Sequence, residues 1–561
     1  RIAMSLLCSL VAVLLIGAVS ATGDEAALLA FKAQLSHGCS LASWNSSASF
    51  CSWEGVTCSH RTPARVVALR LNGTGLAGPL SPAIGNLTFL RTLDLSSNSL
   101  HGDIPASLGR LRRLQTLYLR GNMLYGSIPQ DIGSKFPKLQ GLGFGTNYFT
   151  GTIPSSISNI SSLILLSINA NRISGYVPPT LGKLGALQQL YLGDNKLEAN
   201  DIKGWEFISS LTNCSQLRVL ALGINSFRGQ LPGSIVNLST TLQQLYLSDS
   251  RISGSIPADI GNLVGLSVLL IANTSISGVI PESIGKLENL IDLGLYNNSL
   301  SGLIPSSLGN LSRLNRLYAH RGNLEGLIPA SLGELKNLFA LDLSMNYRLN
   351  GSMPREIFKL PGLSWKLDLS YNSLSGPIPD EVGSLANLNN LILLGNQLSG
   401  KIPDTIQNCI VLERLLLNNN SFEGSIPQSL KNIKGLSILN LAMNKFSDSI
   451  PEALGSIGNL QKLYLAHNNL SGSIPSVLQN LTSFQKTIAQ NSVDDDHYKR
   501  ITYNALLRGT NEFSEVNLLG RGSYGAVYKC ILDTEERTLA VKVFNLGQSK
   551  VRRRLCGLNS W

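Results

Sequence analysis

The feature that most constrains this chain is a phrase that keeps returning. Leu90 to Pro105 reads LRTLDLSSNSLHGDIP, and its closing proline recurs at Pro129, Pro154, Pro178, Pro232, Pro257, Pro281, Pro305, Pro329, Pro354, Pro379, Pro403, Pro427, Pro451 and Pro475. A step of about 24 residues held over this length means a stack of one repeated unit, each unable to bury its apolar face without its neighbours. So 561 residues overstate the number of domains.

Inside the phrase the residues divide by role. Leu90, Leu93, Leu95, Leu100 and Ile104 point inward, and the short LxL segment is expected as one strand of a parallel sheet. Asn98 is assigned to the turn that follows, its carboxamide pairing with backbone groups that would otherwise be buried unbonded. Asn122, Asn147, Asn171, Asn195, Asn225, Asn298, Asn346, Asn372, Asn396, Asn420, Asn444 and Asn468 continue that ladder, which Ser250, Thr274 and Gly322 interrupt. Hydroxyls can substitute there; Gly322 cannot, so an irregular backbone is expected at that repeat. The GxIP element adds a tight turn and a second short extended segment.

Residues 24–71 precede the repeats and read as a terminal cap for the exposed end of the first one. DEAALLAFKAQL has helical spacing, SWNSS and CSWEGVTC follow, and RVVALRL alternates like a strand. The helix, the Trp44–Asn45 pair and the Cys51, Trp53, Gly55, Val56, Cys58 set resemble the N-terminal cap of plant leucine-rich-repeat receptors. The spacing between Pro178 and Pro232 doubles to admit NKLEANDIKGWEFISSLTNCSQL, in which Asp201 to Leu211 is expected to be a short helix bearing Trp205, Phe207 and Ile208. That wording resembles the immune-type subgroup of plant leucine-rich-repeat receptor-like serine/threonine kinases. The resemblance covers residues 24–482 and implies an α/β solenoid, a right-handed superhelix of about 17 repeats over 72–482 with a parallel sheet on its concave face.

Several features place the repeats in the secretory pathway. The apolar run Met4 to Val19, ending in small residues, reads as a signal peptide over residues 1–22. N-glycosylation sequons occur at Asn45, Asn72, Asn86, Asn159, Asn213, Asn237, Asn273, Asn297, Asn310, Asn350, Asn419, Asn469 and Asn480. Of the 8 cysteines, Cys51 and Cys58 are the pair expected to form a disulfide in an oxidising compartment. Cys39 has no evident mate; Cys214 and Cys409 stand where other repeats place Leu and read as buried thiols. No spacing suits a zinc site.

From about Asp496 the period vanishes. Gly520, Gly522, Gly525 and Val527 match the GxGxxGxV loop of protein kinases, and Lys542 in LAVK matches the strand lysine that meets ATP phosphates. Residues 501–546 therefore resemble the start of a kinase N-lobe, after a linker over 483–500 and before a divergent tail, 547–561. ATP and Mg are implied by that resemblance alone. No HRD or DFG motif is present and no apolar run of ~20 residues separates repeats from kinase-like text. The chain is thus expected to be a truncated, catalytically inactive relative, on the membrane only if a spanning segment is restored. The net charge of +11 is concentrated in that last segment, which argues against a nucleic-acid partner.

Ligands of such a solenoid are read by the residues flanking the strand leucines. Those singled out are Tyr246, Asp292, Tyr296, Arg316, Tyr318, His320 and Arg321. Aromatic and Arg side chains together are what protein and peptide interfaces favour. The cluster from Arg316 to Arg321 is expected to hold an acidic or C-terminal carboxylate group of an extended extracellular peptide or protein. A leucine-rich-repeat co-receptor kinase is the further partner that the resemblance implies; the alternative is a secreted decoy that binds without signalling.

Overall fold

The computed structural model describes residues 23–36, 41–45, 48–480, 516, 518–522, 525–532 and 537–544. The signal peptide, the linker and the tail over 547–561 lie outside them. The chain divides into two units, Arg1–Gln485 and Lys486–Trp561.

In the first unit each LxL segment is a three-residue strand that pairs in parallel with the same segment of the next repeat, so that Leu93 lies opposite Leu117 and Leu117 opposite Leu142. The ladder runs from Val66–Arg70 to Lys462–Tyr464, with one antiparallel strand, Val56–Cys58, added by the cap in an 18-stranded sheet. The second extended segments form further parallel sheets, one of 3 strands from Ala77–Pro79 to Met123–Leu124 and one of 12 strands in the later repeats. Most repeats then return through a five-residue 3-10 turn such as Ala106–Arg110, entered from Pro105 at φ −63°, the angle a proline ring imposes. Leucine and isoleucine side chains from every repeat merge into one core that reaches from Ala27 to Leu460.

The asparagine ladder has the expected role. Asn98 Nδ2 donates to the carbonyls of Leu71, Leu95 and Ser96 at 2.7, 3.0 and 3.1 Å, and its Oδ1 accepts from Leu76 N at 2.9 Å. Asn122 does the same one repeat on, donating again to Leu95 O at 3.0 Å. Each such carbonyl is thus held by two amides, its own repeat's and the next one's. Ser250 Oγ still reaches Leu247 O at 3.1 Å, and Thr274 Oγ1 accepts from Ile276 N at 3.2 Å.

Gly322 corrects an expectation. The flanking strand Asn323–Leu327 keeps its full length and its register with both neighbours. Without a side chain at 322, Leu295 O retains Asn298 Nδ2 at 2.9 Å and Ala319 O retains Asn346 Nδ2 at 2.9 Å. One donor of each pair suffices to hold the turn.

The cap closes the N-terminal end. A helix over residues 23–33 packs Leu28 and Phe31 inward. Asp24, 1% exposed, pairs with Arg65 at 2.8 Å and accepts from Val66 N at 2.9 Å. Trp44 stacks on Trp53 at 5.4 Å and donates to Glu54 O, and Cys51 is bonded to Cys58 with Cα atoms 5.5 Å apart. Gly55 has φ +75°, and a Cβ there would lie 2.3 Å from Arg70 O, so only glycine permits this approach to the first strand.

The insert forms the helix Ile202–Leu211, capped by Asp201 Oδ1, which accepts from Gly204 N at 2.7 Å. Its aromatic face is core: Trp205 and Phe207 pack on Phe227, and Trp205 Nε1 donates to Arg228 O at 2.9 Å. Cys214 and Cys409 are buried free thiols, each pushed up to about 11 by burial. Sequon asparagines with described side chains are exposed except Asn273 and Asn297, which are partly buried. No helix among the described residues is long and apolar enough to cross a membrane.

In the second unit, Leu518–Gly522, Gly525–Leu532 and Arg537–Phe544 form an antiparallel meander.

Candidate recognition surface

Strand register decides which side chains meet on the concave face. Residues one repeat apart at the same strand position are direct neighbours, so Asp292 lies opposite Arg316 and Arg316 opposite Ala340. Arg316 Nη1 sits 3.4 Å from both carboxylate oxygens of Asp292. The guanidinium expected to await a ligand carboxylate therefore already has one beside it, while remaining 44% exposed.

Across the same strand Tyr318 is half-buried, and burial pushes its phenol up. The phenols of Tyr246 and Tyr296 are raised for the same reason. His320 stacks on Tyr296, centroids 4.8 Å apart and planes at 6°. Its Nδ1 lies 3.4 Å from Asp342 Oδ2 yet makes no hydrogen bond. Burial lowers the His320 pKa, outweighing the opposing pull of Asp342, so the ring is neutral near pH 7.

Arg321 closes the row at φ +55°, exposed, with Nε donating to Met345 Sδ at 3.2 Å. Tyr246 stands apart, since the strand Val268–Leu270 separates its strand from that of Asp292. Its hydroxyl donates to Gln244 Oε1 at 3.3 Å.

Beside this row, on the next two strands, lies a network: Asp342 is the Cα partner of Tyr318, and Asp368 that of Asp342. Lys366 Nζ bridges Asp342 Oδ2 at 2.7 Å and Asp368 Oδ2 at 3.0 Å. The second oxygen of Asp342 accepts from Ser344 N and Oγ, and that of Asp368 from Ser370 N and Oγ. Burial works against the charged carboxyl of Asp342, but His320, Lys366 and Ser344 hold it below the usual range. Burial likewise opposes the Lys366 charge, and the two aspartates more than restore it. The buried charges are thus compensated, leaving Arg316 and Arg321 as the cations this part of the face presents. No metal-binding group of three or more His, Cys, Asp or Glu occurs among the described residues.

A cap, a stack of strand-and-turn repeats and an exposed polar and aromatic row on a parallel sheet define a leucine-rich-repeat ectodomain. The "Leucine rich repeat N-terminal domain" pattern matches residues 21–59, the "Leucine-rich repeat region" pattern matches 199–353, and single "Leucine Rich Repeat" patterns match from 89–111 to 459–481. The plant peptide hormone receptor RGFR1, solved in complex with RGF2, superposes with a TM-score of 0.63 at 30% identity over 78% of this chain and 82% of that one. The Arabidopsis receptor kinase HAESA, solved with the peptide hormone IDA and the co-receptor SERK1, gives 0.57 at 30% identity over 82% and 92%. The chain belongs to the leucine-rich-repeat receptor-like proteins of plants.

Among sequence relatives, the receptor kinase-like protein Xa21 of Oryza sativa subsp. japonica is 50% identical over 90 residues, 16% of this chain and 9% of that protein. The receptor-like serine/threonine-protein kinase EFR of Arabidopsis thaliana is 51% identical over 87 residues, 16% and 8%. These matches span less than a tenth of either relative.

Proposed function

We propose that this chain recognises an extended extracellular peptide or protein segment along its concave sheet, on behalf of a receptor kinase. The observation that carries this reading is the row Arg316, Tyr318, His320 and Arg321: two exposed cations flank two half-buried rings, and the charges on the next strands are already paired. Such a row suits an acidic group, a side-chain carboxylate or a C-terminus, which makes charge-assisted hydrogen bonds to guanidinium. Arg316 can exchange its 3.4 Å contact with Asp292 for a shorter one to the ligand. The solved relatives with peptide ligands support the same reading, and the relative that also holds a co-receptor supports a second, co-receptor partner for this chain.

The meander suits the start of a nucleotide-binding lobe. Its backbone register sets Gly522 opposite Gly525, Gly520 opposite Val527, and Val527 opposite Lys542. A glycine-lined hairpin followed by a strand carrying the lysine is the arrangement that receives ATP phosphates in kinases.

The reading is tested with the full chain and a set of synthetic decapeptides carrying a single Glu or a free C-terminal carboxylate. Arg316→Glu combined with Arg321→Glu should weaken binding at least tenfold, while Asp194→Ala, several strands away, should not. Equal affinity of the charge-reversed and parent proteins refutes it. Sedimentation of the chain with membranes after a carbonate wash would mark a membrane receptor, and release into the medium a secreted decoy.

A further inference from the structure

The residue just before each strand of the main sheet occupies one edge of the concave face. Its usual character is polar, as with Arg91, Gln115, Gln140, Gln188, Gln243 and Gln461, whereas Ile164 and Ile291 are aliphatic. Two consecutive repeats place aromatic rings instead. Phe339 and Trp365 lie with centroids 6.5 Å apart and planes at 5°, Trp365 48% exposed and Phe339 half-buried.

The fold does not require apolar side chains at this position, because repeats with glutamine there pair in the same register. An exposed ledge of two stacked aromatic rings, where most other repeats keep a polar residue and none keeps an aromatic one, therefore points to something outside the chain. The register says where that something lies. Ala340, next to Phe339, is the Cα partner of Arg316, and Lys366, next to Trp365, is the Cα partner of Ala340. The ledge continues the edge on which Arg316 sits, and its far ring stands two strand spacings, about 10 Å, from the Arg316 strand.

We infer that Phe339 and Trp365 form a subsite for one aromatic or long aliphatic side chain of the same peptide whose acidic group meets Arg316. This rests on the ligand reading proposed above. The occupant is a peptide side chain rather than a second folded domain: two rings on adjacent strands offer room for one side chain, far below the ~800 Å² per partner of a stable protein interface. An extended chain advances about 3.3 Å per residue, so the bulky residue belongs about three residues from the acidic one.

The test uses the full chain and synthetic decapeptides of Gly and Ser carrying one Glu and one Phe at separations of one to seven residues, with Phe→Ser controls. Two readouts serve: affinity, and acrylamide quenching of Trp365, obtained as the difference between the parent and Trp365→Phe; Trp44, Trp53 and Trp205 are buried. Affinity should peak at a separation of two to four, at least tenfold above the Ser control, with Trp365 protected from quencher. Phe339→Ser with Trp365→Ser should erase the Phe preference and leave the Glu dependence intact. Trp365→Arg, a change confined to an exposed ring, provides the same reading should the double variant not fold. Binding that needs Glu but ignores Phe overturns the subsite and spares the ligand reading. A Phe preference that survives both variants also overturns it, and absence of any binding overturns both.

Discussion

At the scale of single residues, the position before each ladder asparagine is the most demanding in the repeat. Ser97, Asp194, Asn297 and His467 all stand there with φ between 53° and 55°, as does Arg321 before the Gly322 rung. Gly121 and Gly395 meet the demand without strain, but Ile224 adopts φ 58° with a β-branched side chain that is 52% exposed. A left-handed β-branched residue costs about 1–2 kcal/mol. Ile224→Gly or Ile224→Asn should raise the stability of the folded chain by roughly 1 kcal/mol, measured by denaturant unfolding. His320 carries the second residue-scale expectation. Its pKa in the fold is below the ordinary 6.5, so the unfolded chain binds the proton more readily. Its contribution to stability is complete above about pH 6.5 and is lost as pH falls through the lowered value. His320→Gln should flatten that part of the stability profile, and an imidazole resonance that titrates at or above 6.5 would contradict the assignment.

Much at this scale was legible in the sequence, because a period converts position into environment. The inward leucines, the asparagine ladder and the Asp201 to Leu211 helix all followed from the period and its one interruption. The pairing of Arg316 with Asp292 follows from the same arithmetic, since they are one repeat apart at the same strand position, but only once strand register is considered. Phe339 and Trp365 carry no such signal, because the repeat pattern marks the residues flanking the two strand leucines as surface positions and not the one before them. The Asp24–Arg65 pair had no signal at all, its members being 41 residues apart with only the folded cap to join them.

At the scale of elements, the ladder is thinnest where two consecutive rungs lack asparagine, at Ser250 and Thr274. Each hydroxyl there supplies fewer bonds than a carboxamide, whereas Asn298 alone donates to Ile271, Leu295 and Tyr296 carbonyls. Local opening in a repeat protein follows its weakest interface. Amide hydrogen exchange should therefore be faster over residues 247–276 than over the equivalent 343–374, in which Asn346 and Asn372 are both present. The Gly322 rung, isolated between intact neighbours, should be protected like the rest.

At the scale of the molecule, stability passes from unit to unit, so the cap matters beyond its own residues. Asp24→Ala would leave the Arg65 guanidinium, 16% exposed, without its carboxylate, at a cost of about 3–5 kcal/mol. The first strands should then open at lower denaturant than the rest, splitting one unfolding transition into two; a single transition with an unchanged midpoint would show that the cap and the repeats are not coupled.

The doubling of donors at most turn carbonyls has an implication for how such a chain changes over generations. Because most turns are braced from within their own repeat as well as from the next, the stack behaves like a truss with spare members, in which one brace can be removed and the load shared. A whole repeat can then be lost, gained or exchanged with both cut faces finding the brace they need, and a surface residue can be rewritten without disturbing the span. The recognition row can be re-lettered one line at a time while the column that carries it stays standing.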